Sequence, residues 1–115
     1  MLRAGAQTPE ELETLLEDAF VVGDADALAE LFEDGGLLAT GEEVCGGEAI
    51  GPLAAALWKR DVGYVADPRR VVQADDTALV VSERSIGVAR RAGDGRWRYA
   101  IALLDVDHTT NEEKR

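Results

Sequence analysis

The spacing of apolar residues changes period once along this chain, close to Arg60. Before that point apolar positions recur every three or four residues; beyond it they alternate or run together in short stretches bounded by turn residues. The first part predicts three helices. Leu12, Leu15, Leu16, Ala19 and Phe20 share one face of a helix over 8–22, with Thr8 as N-cap, Pro9 at the first helical position and Glu11 placed for a capping box. Gly23 ends this helix. Asp24 can cap a second one that runs to about Glu33 and buries Leu28, Leu31 and Phe32. Gly35 and Gly36 break it, and short strands over 37–40 and 42–45 follow, turning at Gly41. Gly46 and Gly47 open a third helix whose apolar face is Ile50, Leu53, Ala54, Leu57 and Trp58. Pro52 has no amide proton, so it either sits in the first turn of that helix or kinks it.

The second part predicts strands. A short one over 62–66 stops at Pro68. Strands over 69–74 and 77–85 are joined by an Asp75-Asp76 hairpin, and strands over 87–92 and 96–106 by Gly93-Asp94-Gly95. Alternation in the last strand puts Trp97, Tyr99, Ile101 and Leu103 on one face and Arg98, Ala100 and Ala102 on the other. Between 77–85 and 87–92 there is little room. Either the hairpin is tight, or one strand continues through Gly87 as a bend or bulge. Helices first and strands after indicate an α+β fold, N-terminal helices packed on a curved, mainly antiparallel sheet. The whole chain, 1–115, reads as one domain with flexible tails at 1–7 and 108–115.

Charge narrows the partners. The 23 Asp and Glu against 12 Lys and Arg give a formal charge of -11, which repels phosphate backbones and anionic lipid, so neither nucleic acid nor membrane is expected. The single cysteine, Cys45, excludes an internal disulfide, and its neighbours Glu42 and Glu43 argue against a reactive thiolate. No apolar h-region opens the sequence and no apolar run approaches the ~20 residues of a bilayer span, so a soluble cytoplasmic protein is expected. His108 is the only histidine and lies in a polar tail. Without a His pair, a Cys/His cluster, a P-loop or a Gly-x-Ser-x-Gly elbow, no metal, cofactor or serine nucleophile is expected.

Four residues stand out as pocket candidates on their own chemistry. Glu83 and Arg84 end an otherwise apolar strand, and adjacent strand residues face opposite ways, so one of them points toward the helices unless the strand has already reached the solvent rim. Tyr99 fills core or aims its hydroxyl into a cavity, since a buried phenol requires a partner. Trp58 packs or closes a pocket mouth.

The order of elements over Gly23–Ile50, the ungapped stretch Ala19–Thr40 and the terminal Asp94-Gly95-Arg96-Trp97-Arg98-Tyr99-Ala100-Ile101 together resemble the nuclear transport factor 2-like superfamily, in particular SnoaL-like proteins and ketosteroid isomerases. The resemblance implies a cystatin-like cone with a pocket between sheet and helices, and a homodimer formed through the open sheet face. It also implies that Thr40 stands where the isomerases carry their proton-shuttling aspartate, and Leu16 where they carry an oxyanion-donating tyrosine. A threonine hydroxyl is no base near neutral pH and a leucine donates nothing. Glu42 is the neighbouring carboxylate that could replace the base. The expectation is therefore a SnoaL-like, dimeric module that binds a small apolar ligand or serves as a scaffold, without ketosteroid isomerase chemistry. The alternative is a pocket enzyme of the isomerase, cyclase or dehydratase type built on an inward carboxylate, Glu83 or Glu42, with Tyr99 as donor. A third reading is an acidic surface that docks a basic protein.

Overall fold

The computed structural model describes residues 5–41, 43–59, 68–82 and 85–104. Helices come first: α1 is Pro9–Val22 and α2 is Ala25–Ala29. Strands β1, Phe32–Ala39, and β2, Val44–Gly46, follow; a single 3₁₀ turn, Gly47–Ala49, leads into α3, Ile50–Lys59. The remaining strands are β3, Pro68–Ala74; β4, Thr77–Ser82; β5, Ile86–Arg91; and β6, Trp97–Leu103. Among the described residues, six strands form one sheet in the order β2-β1-β6-β5-β4-β3. Only the β1–β6 pairing is parallel; the other neighbours run antiparallel. The architecture is α+β, with helices laid on one face of a curved sheet.

Local signals in the sequence explain most helix ends. Thr8 Oγ1 accepts from the Glu11 amide at 3.0 Å, and the Glu11 carboxylate reaches back to the Gln7 amide at 2.6 Å, one residue beyond the ordinary capping box. The Gly23 amide returns to the Ala19 carbonyl at 2.8 Å, and Asp24 caps α2 by accepting from the Ala27 amide at 3.0 Å. Pro52 falls in the first turn of α3, where its missing amide proton costs nothing.

The second helix is shorter than expected. It stops at Ala29, and Phe32 is already a strand residue, paired with Tyr99 of β6. Phe32 is buried either way, so periodicity alone could not separate the two states. Its backbone is claimed by the edge of β6, where the Tyr99 amide donates to the Leu31 carbonyl at 2.8 Å. The register then slips between Phe32 and Leu37, bulging β1 at Glu33–Gly36. A Cβ on Gly36 would stand 2.8 Å from the Tyr99 carbonyl oxygen, so no larger residue fits where the bulge returns to the sheet. Ala6 occupies the same edge of β6 further back, exchanging two hydrogen bonds with Trp97, at 3.1 and 2.7 Å. Ala6 is fully buried, so 5–7 is not the loose tail that its sequence suggested.

The last strand changes face partway along. Val88 pairs with Ile101 but its neighbour Ala89 pairs with Tyr99, so β6 carries one extra residue, Ala100. Trp97 and Tyr99 therefore point into the core, whereas Ile101 is 43% exposed and Ala102 and Leu104 are buried. Strict alternation had put Trp97, Tyr99, Ile101 and Leu103 together; the bulge divides them. Past it, two cross-strand rows continue over the outer face. One runs Val72, Leu79, Val88, Ile101, Leu37, and the other Arg70, Val81, Ile86, Leu103, Ala39, Val44. Inward rows join Val80, Gly87, Ala102 and Leu38 under the helices, where they meet Leu12, Leu16, Leu28 and Leu57.

The β4–β5 connection is a hairpin rather than a bent single strand. Val81 pairs with Ile86, and the Ser82 amide donates to the Ser85 carbonyl at 2.9 Å. The expected strand over 62–66 lies outside the described residues.

Candidate functional site

The most unusual group in the interior is a carboxyl on α1. Glu13 is only 2% exposed and belongs to the face that also buries Leu12 and Leu16. A carboxylate there is costly unless hydrogen bonds replace its water. Tyr99 supplies one. Its hydroxyl donates to Glu13 Oε2 from across the layer, with the ring itself 1% exposed. The Ser82 hydroxyl, at the end of β4, lies 3.4 Å from Glu13 Oε1.

The sheet is built to admit that ring. Tyr99 reaches inward because the Ala100 bulge turns it away from the face that carries Ile101. The rows beneath it are small: Ala78 and Ala89 are fully buried, and a Cβ on Gly87 would stand 2.9 Å from Tyr99 Cε1. Phe32 closes the other side, its ring centroid 5.4 Å from that of Tyr99. The result is an acid on a helix, a phenol on a strand and a serine on another strand, converging inside a mainly apolar layer. An acid and a hydrogen-bond donor so arranged can hold a ligand's polar atom, or pass a proton if a substrate reaches them.

The residues singled out in the sequence divide clearly. Tyr99 is in this cluster. Leu16 is core, 1% exposed, one turn along α1 from Glu13. Thr40 serves the β1–β2 turn: its amide donates to the Glu43 carbonyl at 2.8 Å, and its Oγ1 accepts from the Glu43 amide at 3.1 Å. Trp58 packs edge-on against Phe20 of α1, with centroids 5.6 Å apart. Its indole Nε1 is shielded from solvent and has no hydrogen-bond partner among the described residues. Glu83, Arg84 and Glu42 lie outside the described residues. Glu13 went unnoticed in the sequence because it adjoins Leu12 just after an acidic first turn, where Glu10 and Glu11 are ordinary helix-start residues. Its position one turn before Leu16 was the available signal.

A concavity lies elsewhere, away from this pair. It is an open groove of about 370 Å³ between α1 and α2, and none of the residues singled out in the sequence lines it. Leu15, Ala19, Val22 and Leu31 form its apolar part, with Asp18, Asp24 and Glu30 among them. The arginines near the β5–β6 turn are tied to acids: Arg90 to Glu33, Arg91 to Asp76 and Arg98 to Asp94. Hydrogen bonds from the Arg98 guanidinium, then from the Arg96 amide, hold the Asp94 carboxyl down at about 2. Among the described residues no His, Cys, Asp and Glu side chains converge as a metal site, and no helix is long and apolar enough to cross a membrane.

No family model matches the chain, and no curated protein matches it at a significant level. Solved structures do. A ketosteroid isomerase-like protein from Erwinia carotovora atroseptica superposes with a TM-score of 0.67 at 19% identity, over 82% of this chain and 89% of that one. A nuclear transport factor 2-like protein with a cystatin-like fold from Novosphingobium aromaticivorans gives 0.63 at 23%, over 92% and 86%. A domain of unknown function with a cystatin-like fold from Nostoc punctiforme gives 0.69 at 14%, over 90% and 78%. These likenesses establish the fold. The chain has the cystatin-like cone common to ketosteroid isomerase-like and nuclear transport factor 2-like structures.

Proposed function

We propose that this chain is a homodimeric, small-molecule-binding cone whose interior recognises an apolar ligand through one polar centre, Glu13 with Tyr99, and that it does not perform ketosteroid isomerase chemistry. The buried acid–phenol pair carries the reading. A helix that only had to cover a sheet would be served by a leucine at position 13. An interior acid facing a phenol is the kind of convergent polar pair that orients a ligand in an apolar site. The Trp58 Nε1, about two turns along α1 by way of Phe20, is a shielded donor that a ligand oxygen would satisfy. The isomerase reading is disfavoured by Thr40, whose hydroxyl serves a turn, and by Leu16, which is core.

A second reading rests on the same pair. Glu13 as proton acceptor and Tyr99 as donor is a workable couple for an isomerase, cyclase or dehydratase. In this reading Glu13 takes the part of the inward carboxylate, for which the sequence offered Glu83 or Glu42.

Thermal unfolding across a panel of rigid apolar alcohols and ketones tests both. A ligand at a hundred times its Kd adds about 2.7 kcal/mol, which raises Tm by about 10 °C in a domain of this size. The expected result is such a rise for the wild type, lost in Glu13→Gln and Tyr99→Phe. A panel that moves no midpoint, or moves all three proteins alike, sinks the proposal. Turnover of a bound compound that disappears in Glu13→Gln selects the enzyme.

A further inference from the structure

The groove between α1 and α2 is distinct from the Glu13–Tyr99 centre, and neither Glu13 nor Tyr99 lines it. Its apolar residues are not those of a surface with nothing to do. Val22 is 75% exposed at the end of α1, and Leu15 is only partly covered by the core. Its volume, about 370 Å³, lies within the range of sites that enclose a small organic molecule. It is too small to seat a further helix about 10 Å across.

Every ionisable side chain in the lining is an acid. Asp18 and Glu30 form no ion pair among the described residues, and Asp24 gives one oxygen, Oδ1, to the Ala27 amide. The acids do not converge closely enough to hold a metal ion. An apolar trough bordered by separated carboxylates matches a cation attached to an apolar body, with the body against Leu15, Ala19, Val22 and Leu31 and the charge toward the acids. We infer that this groove binds a small organic amine, protonated at neutral pH and carrying an aryl or alkyl body. An anion of the same shape meets three like charges and is excluded, which makes the groove selective by repulsion as well as attraction.

Titration of the ¹⁵N-labelled chain followed by two-dimensional NMR tests this, with phenethylamine, phenethyl alcohol and hydrocinnamate as probes. They share one body and differ in the head group. Phenethylamine is expected to shift the amides of Ala19, Val22, Ala27 and Leu31 saturably, phenethyl alcohol to bind several-fold more weakly, and hydrocinnamate not to bind. The double variant Asp18→Asn/Glu30→Gln, at two exposed positions, is expected to weaken phenethylamine about fivefold and to reduce its salt dependence. Equal binding of amine and alcohol, no saturable shift with the amine, or an unchanged affinity in the double variant overturns the inference. Glu13→Gln is expected to leave the titration unchanged, so failure here is separate from failure of the interior reading.

Discussion

The hydroxyl of Tyr99 donates to the carboxylate of Glu13, 86 residues earlier in the chain, and both side chains are shut off from solvent. That bond ties the first helix to the last strand. It also explains why three features that look unrelated in sequence belong together: a small residue at Gly87, a bulge at Ala100 and an acid inside a helix. Gly87 leaves space for the ring, the bulge turns the ring inward, and the acid answers its hydroxyl. Such a polar link in an apolar layer adds little to stability when complete and costs much when half of it is removed.

The asymmetry is measurable. Tyr99→Phe removes one donor from a buried carboxylate and is expected to destabilise the fold by about 1–3 kcal/mol. Glu13→Leu alone leaves the phenol without this acceptor. The double variant Glu13→Leu/Tyr99→Phe is expected to be less destabilised than the sum of the two singles, because the acid and the phenol that answer each other leave together. Urea midpoints at constant m check it. Strict additivity would show that the pair is not coupled.

Gly87→Ala probes the space beneath the ring. The added methyl would lie 2.9 Å from Tyr99 Cε1, so the ring must move or the strand must bend. The expected cost is about 1–3 kcal/mol, the range for overpacking a core. Tyr99→Leu in the Gly87→Ala background is expected to recover part of it, since the obstructing ring is gone. No cost at Gly87 would mean that the ring does not lie against it.

Much of this fold was legible in the sequence. The first helix, its caps and the Asp75-Asp76 turn are local events, fixed by residues within a few positions of one another. What escaped was set by distant partners. Phe32 fits a helix pattern, yet the free edge of β6 claims it as strand. Ile101 looks like a companion of Tyr99 until a bulge, which depends on the register with β5, sends it outward. Glu13 reads as one more acid following an acidic first turn, and only the reach of Tyr99 from the far end of the chain distinguishes it. The site was less legible than the fold for that reason. Its members come from α1, β4 and β6, and no spacing in the chain brings them together.

The outer sheet face leads to a prediction about assembly. Its two rows hold one charged residue, Arg70, and no acid, in a chain with 23 acids. Ile101, Leu79 and Leu37 stand exposed near its middle. Contiguous apolar surface of this kind marks an interface, and the proposed occupant is a second copy of the chain. Light scattering after size exclusion is expected to give about twice the 12.3 kDa chain mass. Ile101→Lys/Leu79→Lys is expected to give a monomer with unchanged circular dichroism. A wild-type protein that stays monomeric at micromolar concentration rules the dimer out.

Asp94 gives the fold an acid limit. Its carboxyl accepts from Arg98 Nη2 at 2.7 Å and Nη1 at 3.3 Å, and from the Arg96 amide at 2.9 Å, across the turn that joins β5 to β6. These bonds lower its pKa from 3.8 to about 2. The folded state thus binds the proton less readily than the unfolded state does. The resulting stabilisation is complete above the unfolded value and disappears as pH falls through the folded one. Asp94→Asn keeps an acceptor for the Arg96 amide but gives up the charge beside Arg98, whose side chain is 2% exposed. The difference in melting temperature between wild type and Asp94→Asn is therefore expected to be constant from neutral pH to about 5 and to shrink toward zero between about 4 and 2. Thermal melts of both proteins over that range measure it. A difference that persists unchanged below pH 2, or one that grows as the solution is acidified, would show that the ion pair does not set the behaviour of this turn.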